Sequence, residues 1–232
     1  MPRYQDIKQV TQPGHYGVDV SWNYLAEYYR LQVVDYGLDV NPNFQRGNIW
    51  TETQKIRYVE YILRGGKSGK DIHTNAPNWH GVGMGREHKN GWYVLVDGKQ
   101  RLDAVLGYLN NEFKVFGEWY HRDFTDGLDI IQQSFRWWVN ELQTIEDVYT
   151  WYIDLNSGGT VHSDDEITRV RGLLEAGVPY DWPDEAETQS RARIDRGVIQ
   201  TVIAKRAAEA AERAACPAPS STTKPRRKAR RR

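Results

Sequence analysis

Apolar positions fall in two rhythms along this chain, and the two meet at residues 92–110, WYVLVDGKQRLDAVLGYLN. Residues 92–96 form an unbroken apolar, aromatic and β-branched run, the mark of a short buried strand. Asp97-Gly98 then turns the chain. Beyond Gln100, Leu102, Val105, Leu106 and Leu109 recur at three- and four-residue spacing, the stripe of an amphipathic helix. The pattern predicts strand, tight turn and helix, with Asp97, Lys99, Gln100 and Arg101 gathered at the turn.

The same two rhythms divide the rest of the chain. Val18-Asp19-Val20 alternates like a short strand, and Ser21 stands as the N-cap of a helix carrying Tyr24, Leu25 and Tyr28 on one face. Residues 38–50, LDVNPNFQRGNIW, run from an extended segment into a proline-containing loop. Thr51 and Gln54 then form a capping box for a helix with Ile56, Val59, Ile62 and Leu63 inward, ended by Gly65-Gly66. Residues 65–91 lack either period. They hold His73, His80 and His88 without a carboxylate or cysteine at metal-ligand spacing, and read as a glycine-rich, ligand-covering loop. Residues 113–116 alternate like a strand, and 119–124 form an aromatic and basic loop. Residues 135–142 read as extended, with one of Trp137 and Trp138 buried and the other half-exposed.

Thr144 caps a helix whose inner face is Val148, Trp151, Tyr152 and Leu155. It stops at the polar elbow Asn156-Ser157-Gly158-Gly159, where the Asn156 side chain could reach a site. Ser163 and Glu166 box the next helix, which ends near Gly177. No run of eighteen apolar residues occurs and the first residues carry no secretory h-region, so the expectation is a cytoplasmic protein without a membrane span. Its one cysteine, Cys216, fits a reducing compartment.

Charge changes the picture only at the end of the chain. Of 31 basic residues, seven lie in the stretch Lys224, Arg226, Arg227, Lys228, Arg230, Arg231 and Arg232, which contains no acid. The remaining 24 face 31 acidic residues, a charge of −7 for residues 1–223. A basic tail on an acidic body suits a polyanion, and DNA is the partner it points to. The organisation expected is an N-terminal arm (1–17), an α+β domain (18–177), a charged and helical extension (178–215) and a basic low-complexity tail (216–232).

The turn at 97–101 has two readings. A helix N-terminus offers backbone N–H groups and partial positive charge to an anion such as phosphate. Gly98 would let the backbone approach that ligand, Lys99 or Arg101 would neutralise it, and Asp97 would hold a metal-bound water or a ribose hydroxyl. Arg46, in a loop just before a helix, could also reach a phosphate. The competing reading is an ordinary β–α turn with polar caps and surface ion pairs.

Three segments in fixed order, FQRGNIW, VLVDGKQRL and WYIDLNSGGTVHSDDE, resemble the DGQQR-motif family, a domain of unknown function related to the ParB/sulfiredoxin fold. The likeness covers roughly residues 20–176. Lys99 stands where the family has Gln, Asp154-Leu155 replaces an Arg-[IL] pair, and Val161-His162 replaces a small residue and leucine. The resemblance implies a ParB/sulfiredoxin-like mixed small sheet with packed helices, followed by a helical segment and a basic disordered tail. It implies a nucleotide-binding, NTP-hydrolysing domain that uses an NTP of unspecified base with Mg²⁺ and acts on or regulates DNA in a restriction, phage-defence or phage-encoded setting. Asp97 and Arg101 become the catalytic pair, with Asp97 as the metal carboxylate. Gln45, Arg46, Gly98, Lys99, Gln100, Arg101, Asn156, Gly158 and Gly159 become the nucleotide and phosphate contacts. Related domains work with a separate or fused HNH-type nuclease and often dimerise, so a nuclease partner and a homodimer are both expected possibilities. A cysteine at the sulfiredoxin position is missing, which removes the redox reading. Two alternatives stay open: a metal-dependent ParB-like DNA nuclease, and a non-catalytic DNA-binding or adaptor module.

Overall fold

In the computed structural model, which describes Arg3, Ile7 and residues 16–45, 50–77, 79, 93–124, 133–157 and 164–178, the apolar run at 93–96 is buried on both faces. It leads through strand β3 (Val94–Asp97). Tyr93 and Leu95 point into one core, and Val94 and Val96 into another. This is why the run does not alternate: a strand covered on both sides needs apolar residues at every position.

The sheet around it is mixed and four-stranded. With β1 (Tyr16–Ser21), β2 (Asp71–Asn75) and β4 (Ser134–Asn140), the strand order is β1-β4-β2-β3. β1 pairs antiparallel with β4, β4 parallel with β2, and β2 antiparallel with β3. Asp39 extends the sheet beyond β3 by a parallel bridge to Val94.

Helices cover both faces. α1 (Trp22–Arg30), α2 (Glu52–Leu63) and α3 (Lys99–Leu109) supply Leu25, Val59, Ile62, Leu102, Val105 and Leu109 to the larger core, against Ile72, Leu95, Phe135 and Trp137 of the sheet. α4 (Ile145–Ser157) and α5 (Asp164–Glu175) form the second core with Phe44, Val94 and Val96. The described part of the chain is thus an α+β fold, as the pattern predicts. Within the described residues no helix is long and apolar enough to cross a membrane.

Local signals place most boundaries correctly. The Thr51–Gln54 capping box is fully formed, Gly65 ends α2 at φ +89°, and Asp147 N–H donates to Thr144 Oγ1 at 3.2 Å. Trp137 is buried and Trp138 half-buried. Ser21 occupies the N-cap position of α1 but its side chain makes no capping bond, and Tyr24 is half exposed rather than inward.

Two expectations are corrected. Residues 71–75, assigned to a long loop, are an inner strand of the sheet. The sequence DIHTN hides it because two of its buried side chains are polar and satisfied internally: Thr74 Oγ1 donates to the Trp138 carbonyl (2.8 Å), and Asn75 exchanges hydrogen bonds with the Leu142 backbone (2.8 and 3.1 Å). Residues 113–116 are a turn, not a strand. Phe116 sits at φ +54° and Gly117 at +73°, and Val115 makes only a single bridge to Trp119. The expected Ser163–Glu166 box, the segment 80–92 and everything from residue 179 onward, basic tail included, lie outside the described residues.

Candidate functional site

The turn between β3 and α3 depends on a glycine. Gly98 adopts φ +103°, a left-handed conformation that L side chains rarely take, and a Cβ there would lie 2.5 Å from Ile72 Cδ1 and 3.2 Å from the Asp71 carbonyl oxygen. Its closeness thus serves packing on β2. Gly98 is also the N-cap of α3 and has no side chain with which to cap it. The first intrahelical bond runs from Leu102 N–H to Gly98 O (3.0 Å), so the N–H groups of residues 99–101 are aimed out of the helix start.

The polar residues of the turn separate onto opposite flanks of α3. On one flank, Arg101 donates to Asp97 Oδ2 (3.0 Å) and to the Asp71 carbonyl (2.6 Å). Both partners of this ion pair are three-quarters shielded from solvent. The expected catalytic cation and metal carboxylate are therefore bonded to one another, and Arg101 also ties α3 to β2.

On the other flank, Lys99 donates to Asn41 Oδ1 and borders a cavity of ≈ 180 Å³. Val40, Leu95 and Leu102 make its apolar walls; Tyr29, Asn41 and Asp103 are its remaining polar lining. Burial pushes the Lys99 ammonium below its ordinary pKa, and the nearby carboxylates of Asp103 and Asp39 oppose that shift. Asp103 follows Lys99 by four residues, one helical turn on, so both project from one face. Asn41, Asp103 and Tyr29 were not singled out from sequence, although the Lys99–Asp103 spacing was there to be read.

The loop carrying Asn41 is fastened to this turn by several bonds. Asp39 N–H donates to Tyr93 O (2.8 Å) and Leu95 N–H to Asp39 O (2.9 Å). Gln45 Nε2 donates to Leu95 O (2.6 Å), while Gln100 Oε1 accepts from Trp50 N–H (3.1 Å). The first two motif segments are thus joined physically, with Gln45 and Gln100 as their cross-ties. Arg169 of α5 completes the attachment, donating to the Asn43 and Phe44 carbonyls at 2.9 and 2.7 Å.

The third segment enters through packing. Phe44 lies edge-on to Tyr149 and Tyr152 of α4. Asn156 is buried and its Nδ2 donates to Tyr152 O of its own helix (2.7 Å), which occupies the side chain expected to reach outward. Arg46, Gly158 and Gly159 lie outside the described residues. Among the described residues no group of three or more His, Cys, Asp or Glu side chains stands together at metal-binding range.

No protein-family model matches the chain, and neither a curated protein nor a solved structure does.

Proposed function

We propose that this chain is a nucleotide-binding protein of ParB/sulfiredoxin-like type that takes an NTP with Mg²⁺ at the start of α3, hydrolyses it, and acts on or regulates DNA. The single observation that carries the reading is the cavity beside an N-terminal helical turn whose N-cap is glycine. The N–H groups of residues 99–101 and the positive end of the helix suit phosphates, and the adjoining cavity receives another part of the ligand. The basic stretch 224–232 supports the DNA assignment by charge alone.

The donors present are compatible with Mg²⁺. That ion is held by one or two carboxylates together with substrate phosphates and waters rather than by an all-protein cage. Asp97 is the carboxylate nearest the helix start in sequence, and Arg101 orients it. When bound, the metal would neutralise phosphate charge.

One observation favours a second reading, nucleotide binding without turnover in an adaptor module: Asp97 and Arg101 already satisfy each other. The nuclease reading draws no support from the described residues, which hold no carboxylate–histidine cluster.

The test is thermal stability with ATP, GTP, CTP and UTP, each with Mg²⁺, on wild type and Lys99→Gln. Arg101→Ala is the poorer probe because it also cuts the tie to β2. A ligand at a hundred times its Kd should stabilise wild type by about 2.7 kcal/mol and the variant by much less. If none of the four raises the melting temperature of wild type, the nucleotide reading fails. Phosphate release then separates the hydrolase from the adaptor.

A further inference from the structure

Residues 113–124, the aromatic and basic stretch FKVFGEWYHRDF, take no part in the nucleotide reading. Val115 and Trp119 close a tight turn by reciprocal backbone bonds of 2.8 and 3.1 Å. Inside it Phe116 holds φ +54°, a left-handed conformation that a bulky residue rarely takes. Two contacts keep it there: its N–H donates to Glu60 Oε1 at 2.6 Å, and the Arg64 guanidinium lies 4.9 Å from its ring centroid. Trp119 lies against Phe116 and Phe124 and is still 45% exposed. Folding alone favours neither a strained phenylalanine nor an indole left half in water; together they mark a surface presented to a partner.

The neighbouring surface is cationic, although residues 1–223 carry a charge of −7. Residues 61–70, YILRGGKSGK, contain Arg64, Lys67 and Lys70 and no carboxylate. Arg57 and Arg64 share a face of α2 with Tyr61, because steps of four and three residues bring side chains into line. The loop after α2 is pinned to that face: Tyr58 Oη donates to Gly69 O (2.7 Å), and Tyr61 Oη and Ser68 Oγ share a hydrogen bond of 2.6 Å. Lys114 stands at the turn itself, its Nζ 5.3 Å from the Tyr120 ring centroid. Among the described residues Arg64, Lys67 and Lys114 form no ion pair. Two carboxylates nearby are engaged by backbone, Glu60 by Phe116 N–H and Asp123 by Tyr120 N–H (2.8 Å), while Glu118 is exposed. Cations held apart from carboxylates beside an exposed indole match a ligand that has both anionic groups and flat apolar faces.

We propose that Trp119 and the cations Arg64, Lys67 and Lys114 form a platform for single-stranded DNA, with a base stacked on the indole and phosphates on the cations. Duplex DNA fits less well, because its bases are already stacked on one another and offer Trp119 no face. This rests on the DNA-acting reading above and gives the folded domain a contact of its own beside the basic stretch 224–232. The two differ in kind: a run of Lys and Arg neutralises the phosphates of either form of DNA, whereas the platform selects unpaired bases.

The experiment is fluorescence anisotropy of the full chain, without nucleotide, against a labelled oligothymidine of about twelve nucleotides and the duplex it forms with its complement. Trp119→Ala should weaken binding of the single strand by about tenfold and leave the duplex within about twofold of wild type. Trp119→Phe, which keeps a stacking face, should stay close to wild type on both. Arg64→Gln and Lys67→Gln should each reduce the slope of log affinity against log salt for the single strand by about 0.7. Equal weakening of strand and duplex by Trp119→Ala, or weakening of neither, overturns the platform and leaves the DNA reading to residues 224–232. Absence of binding of either DNA by wild type overturns both. Should Trp119→Ala fail to fold, the charge variants decide, and an unchanged affinity and salt slope in Arg64→Gln and Lys67→Gln overturn the platform.

Discussion

The junction of β3 and α3 carries the same pairing twice, an acid and a base four residues apart, with opposite outcomes. In Asp97–Arg101 the acid precedes the base, the order that agrees with the helix dipole, and the pair closes on itself at 3.0 Å while Arg101 reaches across to β2. In Lys99–Asp103 the order is reversed, and a cation sits at the positive end of the helix. That flank is locally unfavourable, half-buried, and opens on a cavity. One flank holds the fold together. The other keeps an arrangement that folding alone would not select, and it is the flank on which the proposed ligand would sit.

The comparison can be broken most forcefully at the residue both flanks share. Gly98→Ala must strain its φ of +103° and push against Ile72, so it should cost about 3 kcal/mol of stability in urea denaturation. A cost near zero would mean that the turn relaxes freely and that the two flanks are not fixed relative to each other. Next in size is Arg101→Ala, which removes a charge-assisted bond to Asp97 and one to the Asp71 carbonyl; about 2 kcal/mol should be lost. Lys99→Met should change stability by less than about 0.5 kcal/mol. Equal losses at 99 and 101 would erase the distinction between the flanks.

A finer test uses pH. Burial lowers the Lys99 pKa in the folded chain below its usual 10.5. Between the lowered and the ordinary value the unfolded chain binds the extra proton, so folded stability rises with pH in that window. Wild type should gain stability relative to Lys99→Met as pH is raised from below the lowered value towards 10.5. A relative loss would show that the folded protein favours the ammonium and that this flank, too, is structurally stabilising.

Much of this architecture was legible because local chemistry and tertiary role agree. The strand–turn–helix at 93–109, the Thr51–Gln54 box and the Trp137/Trp138 alternation are all set by side chains within a few residues of where they act. β2 was illegible for the opposite reason. Its Thr74 and Asn75 are tolerable in a core only because Trp138 and Leu142, more than sixty residues away, complete their hydrogen bonds. The site divides in the same way. Asp97, Gly98, Lys99 and Arg101 could be located at one turn, but linear order could not assign them to separate flanks, because that depends on Asp71 approaching one side and Asn41 the other. Asn156, read as an outward contact, was captured by a carbonyl one turn back in its own helix.

The position of β4 bears on how the chain is made. It separates β1 from β2, so the first strand has no partner in the sheet until residues 134–140 arrive. While the chain emerges from a ribosome, β2 and β3 can meet, but Tyr16–Ser21 must wait through more than a hundred further residues with its backbone unpaired. Contacts between residues so far apart in sequence slow folding, and an unpaired strand in the interval is open to association with other chains. Among the described residues the last strand to be synthesised is therefore the one that closes the sheet, and an interruption just before it leaves a polypeptide with both α1 and α3 made and no continuous sheet to hold them.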